Sequence, residues 1–378
     1  MTQGRTSVTV TDTAATRAAT FSLDAPSRAL CAVPVNEIDP TLHMFACAPI
    51  AAGQSIQLYT FSDDTMHVHQ HPVKHQSSTH IWALNSFRSK PESILVTKSA
   101  PNKPVSNATV SLATISFGAS LDDDNVQIPN PESISDAVQL PPLPSAFSYA
   151  NFTRHDAIVT IDSNSLRYWR IDGNNSQPNL KDSVVFGKTP NVRTGRGDPH
   201  NDSRFIGATD NEVFVWDWRD PSDGVLKISA AHPAAMKDLD VNPNKPHQIV
   251  TAGEDSSLRF WDLRRPDYPA LMLFGHSHWI WNVEYNHHHD QLLLTASSDC
   301  TAYLWNAYSV ASSPSTNIGI GETAENQNKV IEIVKDHEDS VYRSCWSATD
   351  PWVYATLAFD GRVVINNVPQ AEKYKILL

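Results

Sequence analysis

The stretch GHSHWIWNVEYNHHHDQLLLT, from Gly275 to Thr295, concentrates side chains that can do chemistry. It holds five histidines and one aspartate, residue types that bind zinc or transfer protons near neutral pH. An Asp, a His and a hydroxyl residue together can also form a hydrolase triad. Which chemistry applies depends on whether the pattern occurs once, as a site would, or recurs along the chain.

The pattern recurs at a regular period. Four similar segments read TIDSNSLRYW, GATDNEVFVW, TAGEDSSLRFW and TASSDCTAYLW, and they end at Trp169, Trp216, Trp261 and Trp305. These tryptophans are 47, 45 and 44 residues apart, and His232 to His276 is also 44 residues. From His276 to His337 the spacing is 61 residues, because one insertion intervenes. A period of about 40–45 residues is typical of a four-stranded propeller blade with a Gly-His and Trp-Asp signature.

From about residue 21 to its end, the chain therefore resembles the WD40 family, which is all-β and forms seven-bladed β-propellers. The resemblance implies a buried structural relay in each blade, made by a His, a Ser/Thr, an Asp and a Trp. Two complete relays are expected, from His232, Thr251, Asp255 and Trp261 and from His276, Thr295, Asp299 and Trp305. A partial relay is expected from His337, Thr356 and Asp360, with Asn366 in place of the Trp. Repetition makes a hydrolase triad improbable.

The three consecutive histidines, His287, His288 and His289, follow the strand-like WNVEYN. The repeat alignment places them in the turn between the first two strands of a blade. Three successive residues in a tight turn cannot all face one ion without strain, so a solvated turn is favoured over a metal site. We expect no metal, no cofactor and no catalytic residue.

Seven blades are predicted, with alternating strands in HMFACAPI, SIQLYTFS, SILVTKSA, ATVSLATIS, DAIVTID and RFIGATD. The predicted blades are 21–75, 76–145, 146–190, 191–231, 232–275, 276–336 and 337–378. Two polar segments, 118–138 and 309–329, are interpreted as mobile insertions. Residues 1–20 form either a leader or a closing strand, and the ring-closing strand is either TSVTV near the N-terminus or the terminal YKILL.

Composition and charge exclude several classes of function. The net charge is −12, with 41 acidic against 29 basic residues and no Lys/Arg cluster, which disfavours nucleic acid and direct membrane binding. The 4 cysteines have no CxxC spacing, so a zinc ribbon or redox motif is not expected. No run is long and apolar enough to span a bilayer. The Thr/Ala-rich N-terminus lacks the apolar core of a signal peptide, although its low acidity leaves a transit peptide as an alternative. An intracellular protein is expected.

Several stretches resemble the EARP-interacting WD-repeat protein family: AHPAAMKDLDVNPNKPHQIVTAGEDSSLRFWDLR, GHSHWIWNVEYNHHHDQLLLTASSD, HEDSVYRSCWSATDPWV and FDGRVVINNVPQAEKYKILL. The resemblance is specific over about 225–378, diffuse over 146–224 and weak before that. It implies a non-catalytic scaffold that binds endosome-associated and Golgi-associated (EARP/GARP) tethering complexes. It further implies support of their recruitment in endosomal recycling and retrograde transport, and a cytoplasmic protein peripherally associated with the trans-Golgi network and endosomes.

A docking surface is predicted on the upper face of the ring, where the loop after each Gly-His corner enters the first strand of a blade. Aromatic and basic side chains there could anchor a peptide or helix, although tryptophans could equally cap the core between blades. Five positions after His276 stands Trp281, and its equivalents in other repeats are Lys237, Tyr342 and Trp82. The candidate surface consists of Trp82, Lys237, Trp279, Trp281, Tyr342 and Arg343.

Two rival functions remain open at this point. FWDLRR at 260–265 resembles the WD-x-Arg box of substrate receptors of cullin–RING ubiquitin ligases, and WDWRD at 216–220 is a weaker copy. Arg264 could equally just end a strand of an ordinary repeat. An enzyme that uses the propeller channel is the second rival, but no unrepeated Ser-His-Asp set or carboxylate cluster supports it.

Overall fold

The computed structural model describes residues 9–12, 17–23, 25–34, 40–50, 55–72, 75–76, 80–86, 93–99, 109–121, 127–139, 147–152, 157–162, 165–172, 179–187, 192–220, 226–312 and 328–377. These residues form seven antiparallel sheets, each a blade of a β-propeller. Within a blade, strands a to d run from the centre of the ring outwards. The upper face is the end at which strand a begins.

The N-terminal strands are β1 (Thr9–Asp12) and β2 (Arg17–Ser22). Blade 1 contains β3 (Ser27–Val33), β4 (Leu42–Pro49), β5 (Ser55–Ser62) and β6 (His67–Gln70), and β7 (His75–Gln76) pairs with β5. Blade 2 contains β8 (His80–Ser86), β9 (Ser93–Ser99), β10 (Thr109–Leu121) and β11 (Gln127–Gln139). Blade 3 contains β12 (Phe147–Phe152), β13 (Ala157–Asp162), β14 (Ser165–Asp172) and β15 (Asn179–Gly187).

Blade 4 contains β16 (Thr194–Gly197), β17 (Arg204–Ala208), β18 (Val213–Asp217) and β19 (Leu226–Ile228). Blade 5 contains β20 (Met236–Val241), β21 (Gln248–Gly253), β22 (Ser257–Asp262) and β23 (Leu271–Phe274). Blade 6 contains β24 (Ile280–Tyr285), β25 (Leu292–Ser297), β26 (Ala302–Asn306) and β27 (Lys329–Val334). Blade 7 contains β28 (Val341–Trp346), β29 (Val353–Ala358) and β30 (Arg362–Asn367), and α1 (Gln370–Leu377) follows it.

The seven a strands form a closed ring, because each one contacts the a strands on both sides of it, including β28 against β3. The core lies between neighbouring sheets. Leu258 and Phe260 of blade 5, for example, pack against Leu293 and Trp305 of blade 6. All six residues of β25 are buried, since both faces of a b strand are covered by adjacent blades. This explains why such strands read as near-continuous apolar runs.

The ring is closed by β2, which lies mostly within residues 1–20, the segment predicted to be either a leader or a closing strand, but outside TSVTV. β2 pairs antiparallel with β30, in the register Ala18↔Asn366 to Ser22↔Arg362, and β1 pairs with the outer side of β2. The described part of the alternative YKILL, 374–377, lies in α1 instead, so that option was wrong. The proposed boundary at residue 21 also falls inside β2. The closing strand was hard to recognise because RAATFS carries only one large apolar side chain.

The segment predicted to be a mobile insertion, 118–138, contains regular structure, because 118–121 and 127–138 lie in β10 and β11, and its mobility stays a prediction. The two strands pair continuously from Gly118↔Asn130 to Leu121↔Gln127. Pro129 and Pro131 lie in β11, the outermost strand of the blade, and edge strands are where a sheet tolerates proline. The pairing shifts register between Ser116 and Phe117, where β11 has one extra residue between Pro131 and Ser133. Residues 122–126 lie outside the described part of the chain.

Most of the second proposed insertion, 313–327 within 309–329, also lies outside the described residues, and its mobility stays a prediction. Its two ends are held together where it leaves β26 and enters β27. The Ser309 backbone N–H donates to the Asn328 side-chain oxygen at 3.0 Å, and the Asn328 amide donates to the Ser309 hydroxyl at 2.8 Å. Among the described residues, no helix combines the length and the apolar character needed to cross a membrane.

The closing strand should contribute strongly to stability. Phe21 in β2 is 1% exposed and lies 4.3 Å from the Tyr59 ring of blade 1, measured between ring centroids. Phe21→Ala should lower the free energy of unfolding by about 3–5 kcal/mol through lost burial and the cavity left behind. Ser22→Ala, at the adjacent exposed position, is the matched control and should change it by less than about 0.5 kcal/mol. Equal denaturant midpoints for the two variants would show that β2 does not close the ring.

Candidate interaction surface

Blade 5 contains a complete relay of hydrogen bonds among the four residues expected from the repeat. His232 Nδ1 lies 3.0 Å from each carboxylate oxygen of Asp255, and its Nε2 lies 2.8 Å from the Thr251 hydroxyl. The Trp261 indole N–H donates to the same hydroxyl at 3.0 Å. Burial would raise the pKa of Asp255, but hydrogen bonds from His232 and Ser257 outweigh it and hold that pKa at about 2. The imidazole is thereby fixed in the interior with both nitrogens bonded.

Blade 6 repeats this geometry. His276 Nδ1 lies 2.9 Å from a carboxylate oxygen of Asp299, and its Nε2 lies 2.7 Å from the Thr295 hydroxyl. The Trp305 indole N–H donates to that hydroxyl at 2.8 Å. His276, the residue that could have belonged to a metal or catalytic cluster, therefore has both ring nitrogens occupied inside the blade. The described residues include no group of three or more His, Cys, Asp or Glu side chains placed to hold a metal ion.

Blade 7 departs from the expected relay. His337 Nε2 lies 2.7 Å from the Thr356 hydroxyl, but its Nδ1 has no hydrogen-bond partner among the described residues. The inclusion of Asp360 in this relay was wrong, since its exposed carboxylate accepts a hydrogen bond from the Arg362 backbone N–H at 2.9 Å instead. Staying in solvent lets this carboxylate keep its hydration. Burial, together with the positive charge of Arg362, lowers the pKa of His337 to about 3.

A further pair of relay residues, in blade 3, was missed. The Trp169 indole N–H donates to the Thr160 hydroxyl at 2.9 Å, the same contact that ends the relays of blades 5 and 6. The alignment of TIDSNSLRYW with the other repeats contained the signal for it. Thr160 precedes Trp169 by nine residues rather than ten, and the segment lacks the corner histidine that draws attention to a relay.

The three consecutive histidines lie in the turn between β24 and β25. Only His288 is exposed, while His287 and His289 are half-buried, so the turn is less solvated than expected. The backbone N–H groups of His288 and His289 donate to the Asn286 side-chain oxygen at 3.0 and 2.9 Å, and the His289 ring packs 4.6 Å from the Trp352 ring. These contacts give the turn a structural role between blades 6 and 7.

The candidate surface arises from a feature shared by most a strands. In six of the seven, the pairing with strand b shifts register near the upper end, which leaves one extra residue in a β-bulge. A bulge re-aims the side chain of its extra residue. The bulge residues are Arg28, Trp82, Ser148, Lys237, Trp281 and Tyr342. Four of them had been chosen from repeat alignment, and Arg28 had been missed.

On one side of this surface, three of the predicted residues meet. The Lys237 ammonium lies 5.1 Å from the ring centroids of both Trp279 and Trp281, and it forms an ion pair with Glu254 at 2.7 Å. The two indole rings are 5.9 Å apart in an edge-to-face arrangement. The Trp281 indole N–H donates to the Ser298 hydroxyl, while Trp279 is 38% exposed. Trp281 is therefore held in place, and Trp279 is open to a partner.

On the other side, Arg28 joins the remaining aromatic residues. Its guanidinium carbon lies 4.0 Å from the Tyr342 ring centroid, 5.4 Å from that of Trp281 and 5.9 Å from that of Trp82. Tyr342 also packs 5.0 Å from Trp281. Arg343 is not a bulge residue, and its side chain approaches Asn85 in blade 2 at 3.5 Å. The structure therefore brings Trp82, Lys237, Trp279, Trp281 and Tyr342 into one aromatic–basic cluster with Arg28.

The different roles of Asp299 and Asp360 can be tested by one matched pair of substitutions. Asp299→Ala removes a hydrogen-bond acceptor from buried His276, which should lower the free energy of unfolding by about 1–3 kcal/mol. Asp360→Ala removes an exposed carboxylate from the equivalent turn and should cost less than about 0.5 kcal/mol. Chemical denaturation measures both. Equal losses would mean that the two aspartates play the same part.

The buried neutral His337 should make stability depend on pH. Its pKa is about 3 in the folded protein and about 6.5 when unfolded, so between these values only the unfolded chain takes up the proton. The contribution of neutral His337 to the free energy of unfolding is therefore fully present above pH 6.5 and falls as the pH decreases. From pH 7.5 to pH 5 it should remove about 2 kcal/mol of unfolding free energy. His337→Gln should abolish that part of the decrease in a denaturation series, and an unchanged pH slope would contradict the assignment.

Comparison with known proteins agrees with this architecture. The family model described as the EIPR1 β-propeller matches residues 15–305, more than half of the chain and including its N-terminal third. EARP and GARP complex-interacting protein 1 of Macaca fascicularis is 39% identical over 238 residues, covering 58% of this chain and 61% of that protein. EARP-interacting protein 1 of Caenorhabditis elegans is 37% identical over 189 residues, covering 47% and 52%.

A plant protein is more distantly similar. WD repeat-containing protein DWA2 of Arabidopsis thaliana is 26% identical over 213 residues, covering 56% of this chain and 60% of that protein. The chain spans about three fifths of the length of curated relatives such as the Macaca fascicularis protein. The match to the family model, the seven sheets and the repeated relays agree with one another. The chain belongs to the EIPR1 β-propeller family.

Proposed function

We propose that this protein is a non-catalytic scaffold that binds EARP- and GARP-type tethering complexes at endosomes and the Golgi. It supports their recruitment in endosomal recycling and retrograde transport, and it associates peripherally with trans-Golgi and endosomal membranes through these partners. The observation that carries the proposal is membership of a family whose relatives, at 37–39% identity, are named for interaction with these complexes.

The distribution of chemically active side chains supports a scaffold rather than an enzyme. The Asp–His–Thr groupings, which could suggest a hydrolase triad, are occupied by hydrogen bonds inside blades 5 and 6. Each hydroxyl is also tied to a Trp indole, as Thr251 is to Trp261 at 3.0 Å. A nucleophile needs a free hydroxyl next to its base and an accessible face for substrate. Thr251 and Thr295 are 0% exposed, so their hydroxyls serve the fold.

The aromatic–basic cluster is the surface at which we propose that the partner docks. Tryptophan, tyrosine and arginine are the residues most often found to dominate binding energy at protein interfaces. Here they come from blades 1, 2, 6 and 7, and ring contacts and cation–π contacts hold them together. A preorganised surface loses little side-chain entropy on binding. Trp279, being exposed, offers apolar area, and it packs against Trp281, which in turn packs against Tyr342.

The alternative function is a substrate receptor of a cullin–RING ubiquitin ligase, acting through the WD-x-Arg motif. Arg264 donates two hydrogen bonds to Asp262, at 2.9 and 2.6 Å, and its side chain is 64% exposed. Arg219 makes the same pair of bonds with Asp217, at 3.0 and 2.6 Å. Exposure leaves both arginines accessible to an adaptor. A local Asp–Arg pair that ends strand c explains the motif equally well, since it occurs in two neighbouring blades.

Affinity purification with a matched pair of variants tests the proposal. The tagged wild-type protein should recover tethering-complex subunits, as identified by mass spectrometry. Trp279→Ala should weaken that recovery about 30-fold, as expected of an interface hot spot worth about 2 kcal/mol. Tyr374→Ala is the control, because it also removes an exposed aromatic side chain, but from α1 after the last strand. It should leave recovery unchanged.

The outcomes separate the competing interpretations. Recovery of a ubiquitin-ligase adaptor without tethering subunits, abolished by Arg264→Ala, would replace the scaffold proposal with the receptor function. Recovery of tethering subunits that is insensitive to Trp279→Ala would retain the partner and reject the upper face as the docking surface. Melting temperatures of all variants should stay within about 2 degrees of wild type, which ensures that binding and not folding is compared.

A further inference from the structure

Arg28 is the charged residue at the centre of the aromatic–basic cluster. It occupies the β-bulge of β3, between Ser27 and Ala29, both of which are buried. Its guanidinium lies against Tyr342 at 4.0 Å, with Trp281 and Trp82 within 6 Å on other sides. Three rings from blades 2, 6 and 7 thus surround a cation from blade 1. Since aromatic faces attract a cation, they hold the guanidinium in position at the upper face.

Arginine side chains ordinarily pair with a carboxylate or a carbonyl oxygen. Within the described part of the chain, no carboxylate or carbonyl oxygen accepts a hydrogen bond from Arg28 or forms an ion pair with it. Arginine has five N–H donors in a planar fork that fits a carboxylate with two parallel bonds. Burial lowers the pKa of Arg28, because the guanidinium loses part of its hydration. The aromatic rings replace only part of the lost hydrogen bonding to water. The neighbouring Lys237, by contrast, is neutralised by Glu254 at 2.7 Å.

We propose that Arg28 receives the carboxylate of an aspartate or glutamate in a segment of the partner protein. The carboxylate occupies the open edge of the guanidinium, and the rings of Trp281, Tyr342 and Trp82 pack against the apolar atoms that flank it. The inference rests on the proposed function, because it assigns a chemical specificity to the same docking surface. It makes Arg28 the residue that selects an acidic segment over a neutral one.

The surroundings favour a carboxylate on a protein over a phosphate on a lipid or nucleic acid. The chain carries a net charge of −12, which disfavours a polyanion. The pKa of Cys300 is raised mainly by burial and further by the negative charges of Asp339, Asp299 and Asp360. Cys300 is two residues from Ser298, to which the Trp281 indole N–H donates, so these charges lie near the cluster. Negative charge near the cluster repels a nucleic acid or an anionic membrane surface, each of which carries many phosphates, more strongly than a single carboxylate. Anionic lipid surfaces are recognised by clusters of several Lys and Arg residues.

The first test compares wild type with Arg28→Gln, which removes the charge with little change in length, and Arg28→Lys, which keeps charge without the planar fork. Binding to the purified tethering complex should weaken at least about tenfold in Arg28→Gln and by a smaller factor in Arg28→Lys. Raising salt should weaken wild-type binding more than that of Arg28→Gln. Unchanged affinity in a folded Arg28→Gln protein overturns the proposal while leaving the tethering partner in place.

The second test does not depend on the tethering complex. A displayed random-peptide library, selected on the whole protein, should yield sequences enriched in Asp or Glu next to apolar residues. Changing the acidic residue of a selected peptide to Asn or Gln should weaken its binding to the wild-type protein. This comparison uses only the wild-type protein, so it can be made even if Arg28→Gln fails to fold. Acidic enrichment without tethering-complex binding would reject the proposed function and keep the carboxylate site. Selected peptides without acidic enrichment overturn the site.

A lipid source for the anion is tested separately. Vesicles of phosphatidylcholine with phosphatidylserine should not sediment the wild-type protein more than vesicles of phosphatidylcholine alone. Sedimentation that depends on phosphatidylserine and is lost in Arg28→Gln would assign the guanidinium to a lipid headgroup, and would overturn the proposal of a protein carboxylate.

Discussion

Closure of the ring is the constraint on which the remaining structure depends. β2, from the start of the chain, pairs with β30, near its end, so the two termini build blade 7 together. Further contacts hold blade 7 to blade 1, including His43 Nδ1 at 2.9 Å from the Ser347 hydroxyl. The contact of Arg28 with Tyr342 exists only because of this closure, since the residues lie near opposite ends of the sequence. The candidate docking surface is thus a consequence of how the termini meet.

Polar contacts between neighbouring a strands fix the centre of the ring. Asp238 of blade 5 accepts hydrogen bonds from Thr194 of blade 4 at 2.9 Å and from Asn282 of blade 6 at 2.7 Å. Asn282 in turn accepts a bond from the Ser344 hydroxyl of blade 7 at 2.7 Å. These side chains are buried, so each unmade bond would be costly. The a strands therefore have a defined spacing, and the bulge residues above them meet in one arrangement.

Sequence reasoning found the parts of the fold that repeat and missed the parts that depend on closure. The period of the tryptophans predicted seven blades, and the spacing of His276, Thr295, Asp299 and Trp305 predicted a relay that the structure forms. Arg28 was missed because blade 1 has no corner histidine or tryptophan from which to count. Its role depends on a bulge and on rings from three other blades. The contacts that define it are long-range, and no local pattern encodes them.

One set of side chains therefore has a structural role, and a different set forms the proposed binding surface. The relay histidines and threonines of blades 5 and 6 are buried, and the partly exposed Asp255 and Asp299 bond to the histidines within the blades. The residues that we propose to bind a partner occupy bulges, where the backbone departs from the regular ladder and re-aims one side chain per blade. This division explains why the stretch with most histidines is structural. The binding that we propose depends instead on Arg28, Trp279 and their neighbours.

The most direct measurement of this account is site-specific photocrosslinking of the intact protein within its complex. A photoreactive benzoylphenylalanine would replace His278, next to Trp279 on the upper face, in one variant and His288 in the turn after strand a in another. Both positions are exposed, so either can reach a bound partner. Docking on the upper face predicts crosslinks to a tethering-complex subunit from position 278 and none from position 288. Crosslinks from position 288 alone would place the partner on the opposite face and contradict the central claim.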